Sequence, residues 1–507
     1  MERPFWVGKE VTFSNINAST ILLAALGLGL AYSIGTAIYN LYLHPLRHLP
    51  GPKLNAISQI PYTLSKLSGQ HHRKTRELSL KYGYVVRVAP GTLSILHPDT
   101  VKIIHGHRKA GRGENARDPI QMKQSKKNIF GVDREEHSRL RRILAPGFSN
   151  QAMMEQEPMF REYADKLVNR LQSATGNGQQ PQEMTSWFNW VTFDVIGDLS
   201  FGEPFGCLDS QSYHPWVSNI FSGVKENLFA NEMLRYGSWI GPMLAILVLP
   251  RGLAGKHAYH YSLSREKVAK RMASGVERPD YVSKMLGGRK GKGDGLSFDE
   301  IVENASPLII AGSETSATTM SAVTYFLTTH PEALARAVAE VRESFSSNEA
   351  ISLTQSVQTP FLDAVFNETH RLFPAAPVPT PRVVNKDGEI IDGRYIPGGI
   401  LVENILWSIQ RHPNIFHRPD EFHPERWLGD ERFKNDRLDA VTPFGDGPRV
   451  CIGKNLANAE MRMLMCKVLW NFDLVLAEDS KDWQDQCKAF IIWEKPDLNV
   501  YLKPRQH

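Results

Sequence analysis

The sequence predicts a mainly α-helical fold with small β-sheets, preceded by one transmembrane helix near the N-terminus. Three observations support this prediction. Residues 11–43 contain no charged side chain and no histidine. Between residues 99 and 358 most apolar residues recur at helical spacing. Strand-like segments are few and short.

Composition excludes several classes of protein. Apolar residues make up 42% of the 507 residues, too many for a disordered chain. Four cysteines are too few for a disulfide framework in a chain of this length, and without a C-x-x-C pair zinc ribbons and dithiol redox motifs are excluded. The net charge of +5 is mild, and the sequence contains no block of Lys and Arg, so we expect no nucleic-acid partner.

The apolar stretch divides the chain into four parts. Residues 21–43 are long enough to span a bilayer and too long for the apolar region of a cleaved signal. We therefore predict a tail at 1–20, a transmembrane anchor at 21–43 in contact with membrane lipid, a proline-rich hinge at 44–53 and a catalytic domain at 54–507. Basic residues are balanced on the two sides of the span, so charge alone does not orient it. Asn17 begins a glycosylation sequon that we expect to be unused, because it lies nearly against the membrane.

The part after the anchor is predicted to be helical with short sheets. A hairpin is expected from Tyr84–Val88 and Leu93–Leu96, and strands return at 382–384 and 390–391. The glycine-rich segment 287–295 lacks the Lys and Ser or Thr of a phosphate-binding loop, which predicts a flexible connector. Residues 236–250 are apolar but too short to span a bilayer. They predict a buried helix or, alternatively, a segment that dips into the membrane surface.

A long internal helix is predicted to begin at the capping box Ser297–Glu300 and to end near Thr329. Gly312 lies inside this helix, where glycine costs about 1 kcal/mol relative to alanine, so the close approach of a ligand would explain it. Glu314 and Thr315 place an acid beside a hydroxyl, a pair that can carry protons into an apolar interior. Taken alone, the motif is weak, and an ordinary buried helix is the default interpretation.

A second helix is predicted over residues 361–373. It carries Glu368 and Arg371, which share one helix face because they are three residues apart. Arg426, in a Pro-Glu-Arg-Trp segment, offers a second cation that would complete a buried Glu–Arg–Arg network.

The segment Phe444–Gly453 surrounds Cys451 with glycines and places Arg449 two residues before it. A helical pattern begins just after the cysteine, so loop N–H groups and positive charge are available to stabilise a thiolate. We therefore predict a metal–thiolate pocket at Cys451. The other cysteines, which lack such a frame, are predicted to be packing residues: Cys207, Cys466 and Cys487.

Together these segments resemble the cytochrome P-450 family of haem-thiolate monooxygenases. The matching motifs stand in the family's order: A-G-x-E-T at 311–315, E-x-x-R at 368–371, P-E-R at 424–426 and F-x-x-G-x-R-x-C-x-G at 444–453. The resemblance covers the whole chain, the anchor and hinge included. The segments at 125–131, 137–142 and 145–148 are similar to fungal members of secondary metabolism, namely the isotrichodermin-hydroxylase-like and averantin-hydroxylase-like enzymes.

The resemblance implies a role for each motif residue. Cys451 would be the axial ligand of a haem b iron, and the network of Glu368, Arg371 and Arg426 would be structural. Glu314 and Thr315 would supply protons during dioxygen activation, with Gly312 making room. The remaining positions that match haem-binding residues are Phe444, Arg449, Arg382, His137 and Arg141; at His137 the family usually has Trp.

The function implied is insertion of one oxygen atom from dioxygen into an apolar small molecule, as a tailoring step in fungal secondary metabolism. No flavin or nicotinamide fingerprint is present, so NADPH electrons would come through a separate flavoprotein reductase. It would dock on a basic surface carrying Arg134, Arg139, Arg142 and Lys454. The expected location is the endoplasmic reticulum membrane, single-pass, with the catalytic domain on the cytosolic face.

Three alternatives stay open at this stage. The same haem site could perform oxidative coupling or ring closure, or a dioxygen-independent isomerase or dehydratase reaction, and a membrane-bound haem sensor or ligand carrier would need no reductase. The substrate pocket is expected to include Ala311, Val378, the loop 108–128 and the segment 236–250. These stretches indicate an apolar substrate without identifying it.

Overall fold

A computed structural model describes residues 18–108, 112–122, 127–249, 253–276, 278, 280–286 and 295–505. The connector predicted at 287–295 lies outside this part except for Gly295, and the sequon at Asn17 lies wholly outside it. Over the described residues the chain is mainly helical with small sheets, as predicted.

Helices form most of the described chain. The α-helices are α1 Ala18–Ile38, α2 Lys53–Ile57, α3 Ile60–Leu67, α4 His71–Tyr82, α5 Thr100–His105, α6 Pro119–Met122, α7 Arg134–Leu144, α8 Asn150–Ala174, α9 Met184–Phe201, α10 Cys207–Ser210, α11 Pro215–Leu234, α12 Ile240–Val248, α13 Leu253–Ala273, α14 Tyr281–Met285, α15 Phe298–Thr329, α16 Pro331–Ser344, α17 Pro360–Leu372, α18 Leu406–Gln410, α19 Lys454–Asn471 and α20 Trp483–Gln486.

The strands of the described chain are short and form four sheets. They are β1 Val85–Ala89, β2 Thr92–Ile95, β3 Ala116–Arg117, β4 Pro181–Glu183, β5 Arg382–Val383, β6 Glu389–Ile391, β7 Arg394–Ile396, β8 Leu401–Glu403, β9 Phe472–Leu476, β10 Lys488–Ala489, β11 Trp493–Glu494 and β12 Asn499–Pro504. The largest sheet has the order β1-β2-β8-β5-β3, and a three-stranded sheet has the order β4-β12-β9. The predicted hairpin is confirmed as β1 and β2, which pair antiparallel with Val85 opposite Ile95.

The N-terminal helix is the one described helix long and apolar enough to cross a membrane. The candidate span is Ser19–Leu43, and its most apolar 18-residue window is not buried against the rest of the molecule. It consists of α1 followed by a π-helical turn over Tyr39–Leu43. This span agrees closely with the apolar stretch predicted as an anchor at 21–43.

The predicted hinge contacts the folded domain. Leu46 and Leu49 are buried, and Arg87 of β1 donates a hydrogen bond of 2.8 Å to the backbone oxygen of Asn40. Gly51 approaches β1 so closely that an added Cβ would lie 2.5 Å from the carbonyl oxygen of Arg87. The chain leaving α1 is therefore attached to the first sheet.

The long helix α15 runs through the middle of the core. Its predicted capping box is confirmed, since Ser297 accepts from the N–H of Glu300 while the Glu300 carboxylate accepts from the N–H of Ser297. It packs mainly against α9, in which nearly every residue is buried. Replacing a buried apolar residue of α9 or α15 by a charged one would therefore disturb the whole core.

Within the segment 236–250, the described residues 236–249 differ from the buried helix that we predicted. It forms α12, in which Gly241 and Ala245 are buried while Met243, Ile246 and Leu247 are more than half exposed. Trp239, just before the helix, is 92% exposed. The apolar side chains of this segment therefore face outward, and the alternative, a segment that dips into the membrane surface, stays a prediction.

Candidate functional site

Cys451 lies in a tight loop directly before α19. Its backbone N–H donates a hydrogen bond of 2.8 Å to the carbonyl oxygen of Phe444, which closes the loop. Gly445 and Gly447 both have positive φ, of 77° and 75°. At Gly447 an added Cβ would lie only 2.1 Å from the carbonyl oxygen of His105, so the loop can approach α5 only with glycine there.

The thiol of Cys451 is accessible from an internal cavity that it lines, while protein surrounds it on its other sides. Burial raises the pKa of this thiol, while the backbone N–H of Gly453 and the positive charges of Arg141 and Lys454 act in the opposite direction. Arg141 is held nearby, donating a hydrogen bond of 2.6 Å to the carbonyl oxygen of Val450. A bound metal cation would complete the stabilisation, because coordination deprotonates a thiol.

The cavity has a volume of about 300 Å³ and is bounded by α7, α9, α15, α19 and the cysteine loop. Its walls are mainly apolar, including Ile129, Phe130, Phe148, Ile196, Leu308 and Met461. Of the predicted site residues, those that line it are Cys451, Phe444, Arg449, His137, Arg141, Ala311, Gly312 and Thr315. A separate depression of about 380 Å³ between α2, α3 and α4 contains none of them.

One side of the cavity holds basic groups with unused hydrogen-bond donors. Arg449 donates hydrogen bonds of 2.8 Å to Glu114 and of 3.0 Å to the carbonyl oxygen of Val132. Its Nη1 and the Nε of Arg117 are buried without a partner in the described part of the chain. Buried guanidinium donors are costly when unpaired, so this wall fits an anionic group such as the carboxylates of haem.

Of the two further predicted haem-binding residues on this side, His137 lines the cavity and Arg382 does not. His137 lines the cavity, and burial followed by the charge of Arg449 lowers its pKa to about 4, so its ring is neutral at physiological pH. Arg382 is buried beside Arg449 and bonds weakly to the backbone oxygen of Asn115 at 3.4 Å. It is not among the described residues that line the cavity. Arg382 therefore lies behind the residues that line the cavity, whereas the sequence predicted that it would contact the haem directly.

The acid and the alcohol of α15 point to different places. Thr315 lines the cavity, and its hydroxyl donates a hydrogen bond of 2.6 Å to the backbone oxygen of Ala311. Glu314 is 2% exposed, forms an ion pair with Lys495 and accepts from Thr318 at 3.2 Å. Glu314 is not among the described residues lining the cavity, so the structure does not bring the predicted acid and alcohol together there.

The space beside Gly312 is occupied by a side chain of α9, whereas we predicted that a ligand would approach there. An added Cβ would lie 2.8 Å from Cδ1 of Ile196, so the missing side chain makes room for α9. Gly312 still lines the cavity. The glycine is thus explained by close packing of two helices, and the ligand is not needed to explain it.

The predicted Glu–Arg–Arg network is present and completely buried. Arg371 donates to both oxygens of Glu368, at 2.7 and 2.9 Å, and Arg426 donates to the same carboxylate at 3.3 Å. Burial opposes ionisation of Glu368, but Arg371 and Arg426 outweigh it, so its pKa lies below the usual value. Arg426 also pairs with Asp436, and the indole of Trp427 donates to Glu368 at 3.0 Å.

The predicted substrate pocket is correct only in part. Ala311 lines the cavity, whereas Val378 is buried elsewhere and the described lining residues from that region are Ala375 and Ala376. None of the described residues 236–249 lines it, because α12 faces outward. From the loop 108–128 the described lining residue is Arg117.

Several lining residues were missed by the sequence reasoning. Arg117 and His370 carry no motif of their own, although His370 lies inside E-x-x-R. Glu460 and Ser316 also line the cavity, from α19 and α15. Glu460 lies nine residues after Cys451, on the predicted helix. Its position on the same helix face as apolar residues was the sequence feature that could have indicated that it is buried.

Comparison with known proteins gives a consistent family. The family model described as cytochrome P-450 matches residues 50–501. The chain is 47% identical to trichothecene C-15 hydroxylase of Fusarium sporotrichioides over 94% of this chain and 97% of that protein. It is 37% identical to averantin hydroxylase of Dothistroma septosporum over 98% and 94% of the two chains. A cytochrome P-450 monooxygenase of Aspergillus oryzae is 38% identical over 94% and 95%.

Proposed function

The chain belongs to the cytochrome P-450 family and is an oxygen-incorporating oxidoreductase, and from the geometry of its cavity we propose that it binds haem b through Cys451. The relatives are named as hydroxylases and monooxygenases, which does not support the alternative of a haem sensor or ligand carrier. One observation carries the proposal. The thiol of Cys451 faces a cavity whose wall also holds buried guanidinium donors of Arg449 and Arg117 without a partner among the described residues.

The residues present fit a haem with its two carboxylates. Cys451 would ligate the iron, and Arg449 and Arg117 would offer their unpartnered Nη1 and Nε atoms to the carboxylates, with neutral His137 as a further donor. Phe444 and Arg141 line the same space, and Arg382 adds a second positive charge beside Arg449. With Cys451 as the ligand, a bound haem would supply dioxygen activation, which electron donation from a thiolate favours.

The overall reaction consumes one dioxygen, two electrons from NADPH and two protons, and yields the hydroxylated substrate and water. The protein's part is to exclude bulk water and to deliver the protons. The apolar walls accept an apolar substrate beside Ala311. Thr315 presents oxygen lone pairs to the cavity, because its own proton is donated to the backbone oxygen of Ala311. It can therefore accept a hydrogen bond there.

The substrate class is proposed from the relatives. We propose a fungal secondary metabolite as the substrate and hydroxylation as the reaction, with a trichothecene as the first compound to test. Electrons would come from NADPH through a separate flavoprotein reductase that docks on basic residues near the cysteine loop. Arg139 contributes least to such a surface, since it is paired with Glu136 and Glu300; Arg134, Arg142 and Lys454 are exposed.

The reduced, carbon-monoxide difference spectrum tests the haem assignment. We expect a thiolate-type Soret band from wild-type membranes and none from Cys451→Ala. Cys466→Ala, which removes a buried thiol farther along α19, is the matched control and should keep the band. A Soret band of thiolate type in Cys451→Ala, or its absence from well-folded wild type, would contradict the assignment.

We also propose that the protein is anchored in the endoplasmic reticulum membrane with its catalytic domain in the cytosol, where a flavoprotein reductase can reach it. Two apolar features support membrane contact: the span Ser19–Leu43 and the exposed apolar side chains of α12. Together they give the domain two points of attachment.

Removing the anchor should leave residual membrane binding through α12. A chain beginning at Tyr39 keeps Asn40, which is buried and contacts Arg87. We expect it to bind lipid vesicles, and the double substitution Ile246→Glu with Leu247→Glu to weaken this binding about ten-fold or more. Val475→Glu, at an exposed apolar residue of β9, should have little effect in the same flotation assay. Equal binding by all three chains would exclude α12 as a contact.

A further inference from the structure

One side chain of the E-x-x-R segment, His370, lines the cavity, whereas the other described residues of 368–371 do not. It is 6% exposed, and neither nitrogen of its imidazole has a hydrogen-bond partner among the residues that the structure describes. Its neighbours Glu368 and Arg371 bond to each other instead, at 2.7 and 2.9 Å. A buried polar group without a partner costs about 1–3 kcal/mol. The ring is therefore expected to meet a polar partner in whatever binds in the cavity.

The imidazole of His370 is neutral, because burial lowers its pKa to about 4. A neutral imidazole has one N–H and one lone pair, and the hydrogen bonds of the two nitrogens decide which of them keeps the proton. Neither nitrogen is held by a described residue. The proton is thus free to lie on the nitrogen that is nearer to a negative charge, which directs the positive end of the ring dipole toward that charge.

A bound haem would bring two kinds of negative charge to this cavity, its carboxylates and the thiolate of Cys451. The carboxylates are matched by the guanidinium donors and the neutral histidine of the basic wall described above. Among the described groups, those that lower the pKa of the Cys451 thiol are the backbone N–H of Gly453 and the charges of Arg141 and Lys454. No side-chain hydrogen bond is among them, so the thiolate is the anion that still lacks a side-chain dipole.

The ring of His370 lies against the loop that carries the thiolate. It contacts the ring of Phe444 edge-on, with the ring centroids 5.6 Å apart and 70° between the planes. The carbonyl oxygen of Phe444 in turn accepts the backbone N–H of Cys451 at 2.8 Å. Since the cavity walls are mainly apolar, a dipole there acts with little screening.

We propose that His370 directs its N–H toward the Cys451 thiolate and thereby raises the reduction potential of the bound haem. Reduction adds one negative charge at the site, so a dipole whose positive end faces the thiolate stabilises the reduced form more than the oxidised form. No bond forms or breaks in this role, and no proton is transferred. The proposal rests on the haem assignment above and adds to it a residue that tunes the ligand.

A spectroelectrochemical titration of the full-length, haem-loaded protein tests this role. We expect the midpoint potential of His370→Leu to lie about 59 mV below that of wild type, which corresponds to a ten-fold shift of a one-electron equilibrium. His370→Gln keeps an N–H donor and should recover at least half of this loss. The matched control is His72→Leu. His72 is also buried and neutral, with its pKa lowered to about 3, but it is not among the described residues lining the cavity, so the potential should not change.

Resonance Raman spectroscopy of the same samples reports on the ligand itself. The iron–sulfur stretch should move to higher frequency in His370→Leu, because loss of the dipole returns electron density to the iron–sulfur bond, and should stay in place in His72→Leu. If His370→Leu retains too little haem, His370→Phe, which keeps a ring against Phe444, is measured with the same expectations.

Two results would overturn the proposal. One is an unchanged potential and iron–sulfur frequency when the N–H is removed. The other is a fall in potential that is equal in His370→Gln and His370→Leu, since it would come from altered packing. Each sample is first required to show the thiolate-type Soret band of its carbon-monoxide complex. A failure of the haem assignment therefore appears as a missing band in wild type, and a failure of this proposal as one of the two results above.

Discussion

Replacing Arg371 by alanine is expected to abolish the accumulation of folded, haem-loaded protein. The substitution leaves Glu368 buried, at 0% exposure, with Arg426 at 3.3 Å as its one charged partner among the residues that the structure describes. It also removes the hydrogen bonds from Arg371 to the backbone oxygens of Gln410, Pro419 and Glu421. Removing one partner of a buried ion pair costs about 3–5 kcal/mol, a large part of the roughly 5–15 kcal/mol by which a domain is stable.

Thermal unfolding and haem content measure this effect together. Lys74→Ala is the matched control, since Lys74 and Glu77 form an exposed pair of the same three-residue spacing at 2.9 Å. It should change stability by less than about 1 kcal/mol. Arg371→Lys should fall between the two, because it keeps the charge and loses the two-pronged geometry. If Arg371→Ala melted like wild type, the buried network would not be what stabilises this region.

Gly447→Ala is expected to be the most damaging single-methyl change in the cysteine loop. Two costs act at once. Positive φ costs a non-glycine residue about 1–2 kcal/mol, and the new Cβ would lie 2.1 Å from the carbonyl oxygen of His105 and 2.8 Å from Cα of Gly106. Both contacts are with backbone, which cannot rotate away. We expect a loss of about 3 kcal/mol or more, combined with poor haem retention because the loop carries Cys451.

The same loop provides the control for this substitution. Gly445 has a nearly identical φ of 77°, but its added Cβ would meet nothing within 4 Å. Gly445→Ala therefore carries only the conformational cost, and its melting temperature should lie between those of wild type and Gly447→Ala. Equal melting temperatures for the two variants would show that the loop can move away from α5.

The features that were predicted correctly depend on residues close together in the chain. The capping box at Ser297 needs only four residues, and the pair of Glu368 and Arg371 needs one helical turn. The loop at 444–453 is similarly local, and its cysteine does face a cavity. Local geometry determines these contacts, so a motif and its spacing are sufficient to predict them.

The features that were predicted wrongly or missed depend on segments that meet only in the folded molecule. Lys495 pairs with Glu314 across 181 positions of sequence, and Ile196 of α9 occupies the space beside Gly312. The apolar residues of α12 would suit a buried helix equally well, and only the packing of the neighbouring elements leaves them exposed. No local pattern distinguishes these outcomes.

By itself, the sequence determined the helical class, the apolar N-terminal span, the family and the identity of the cysteine at the cavity, because each follows from composition or from a short motif. Only the tertiary structure decided which of two nearby acids lines the cavity. Glu314 stands beside Thr315 in the chain, yet in the folded molecule it pairs with Lys495. Glu460 comes to the cavity from another helix and has no cation within reach among the described residues. Protonation depends on such neighbours and on burial, and both are properties of the fold.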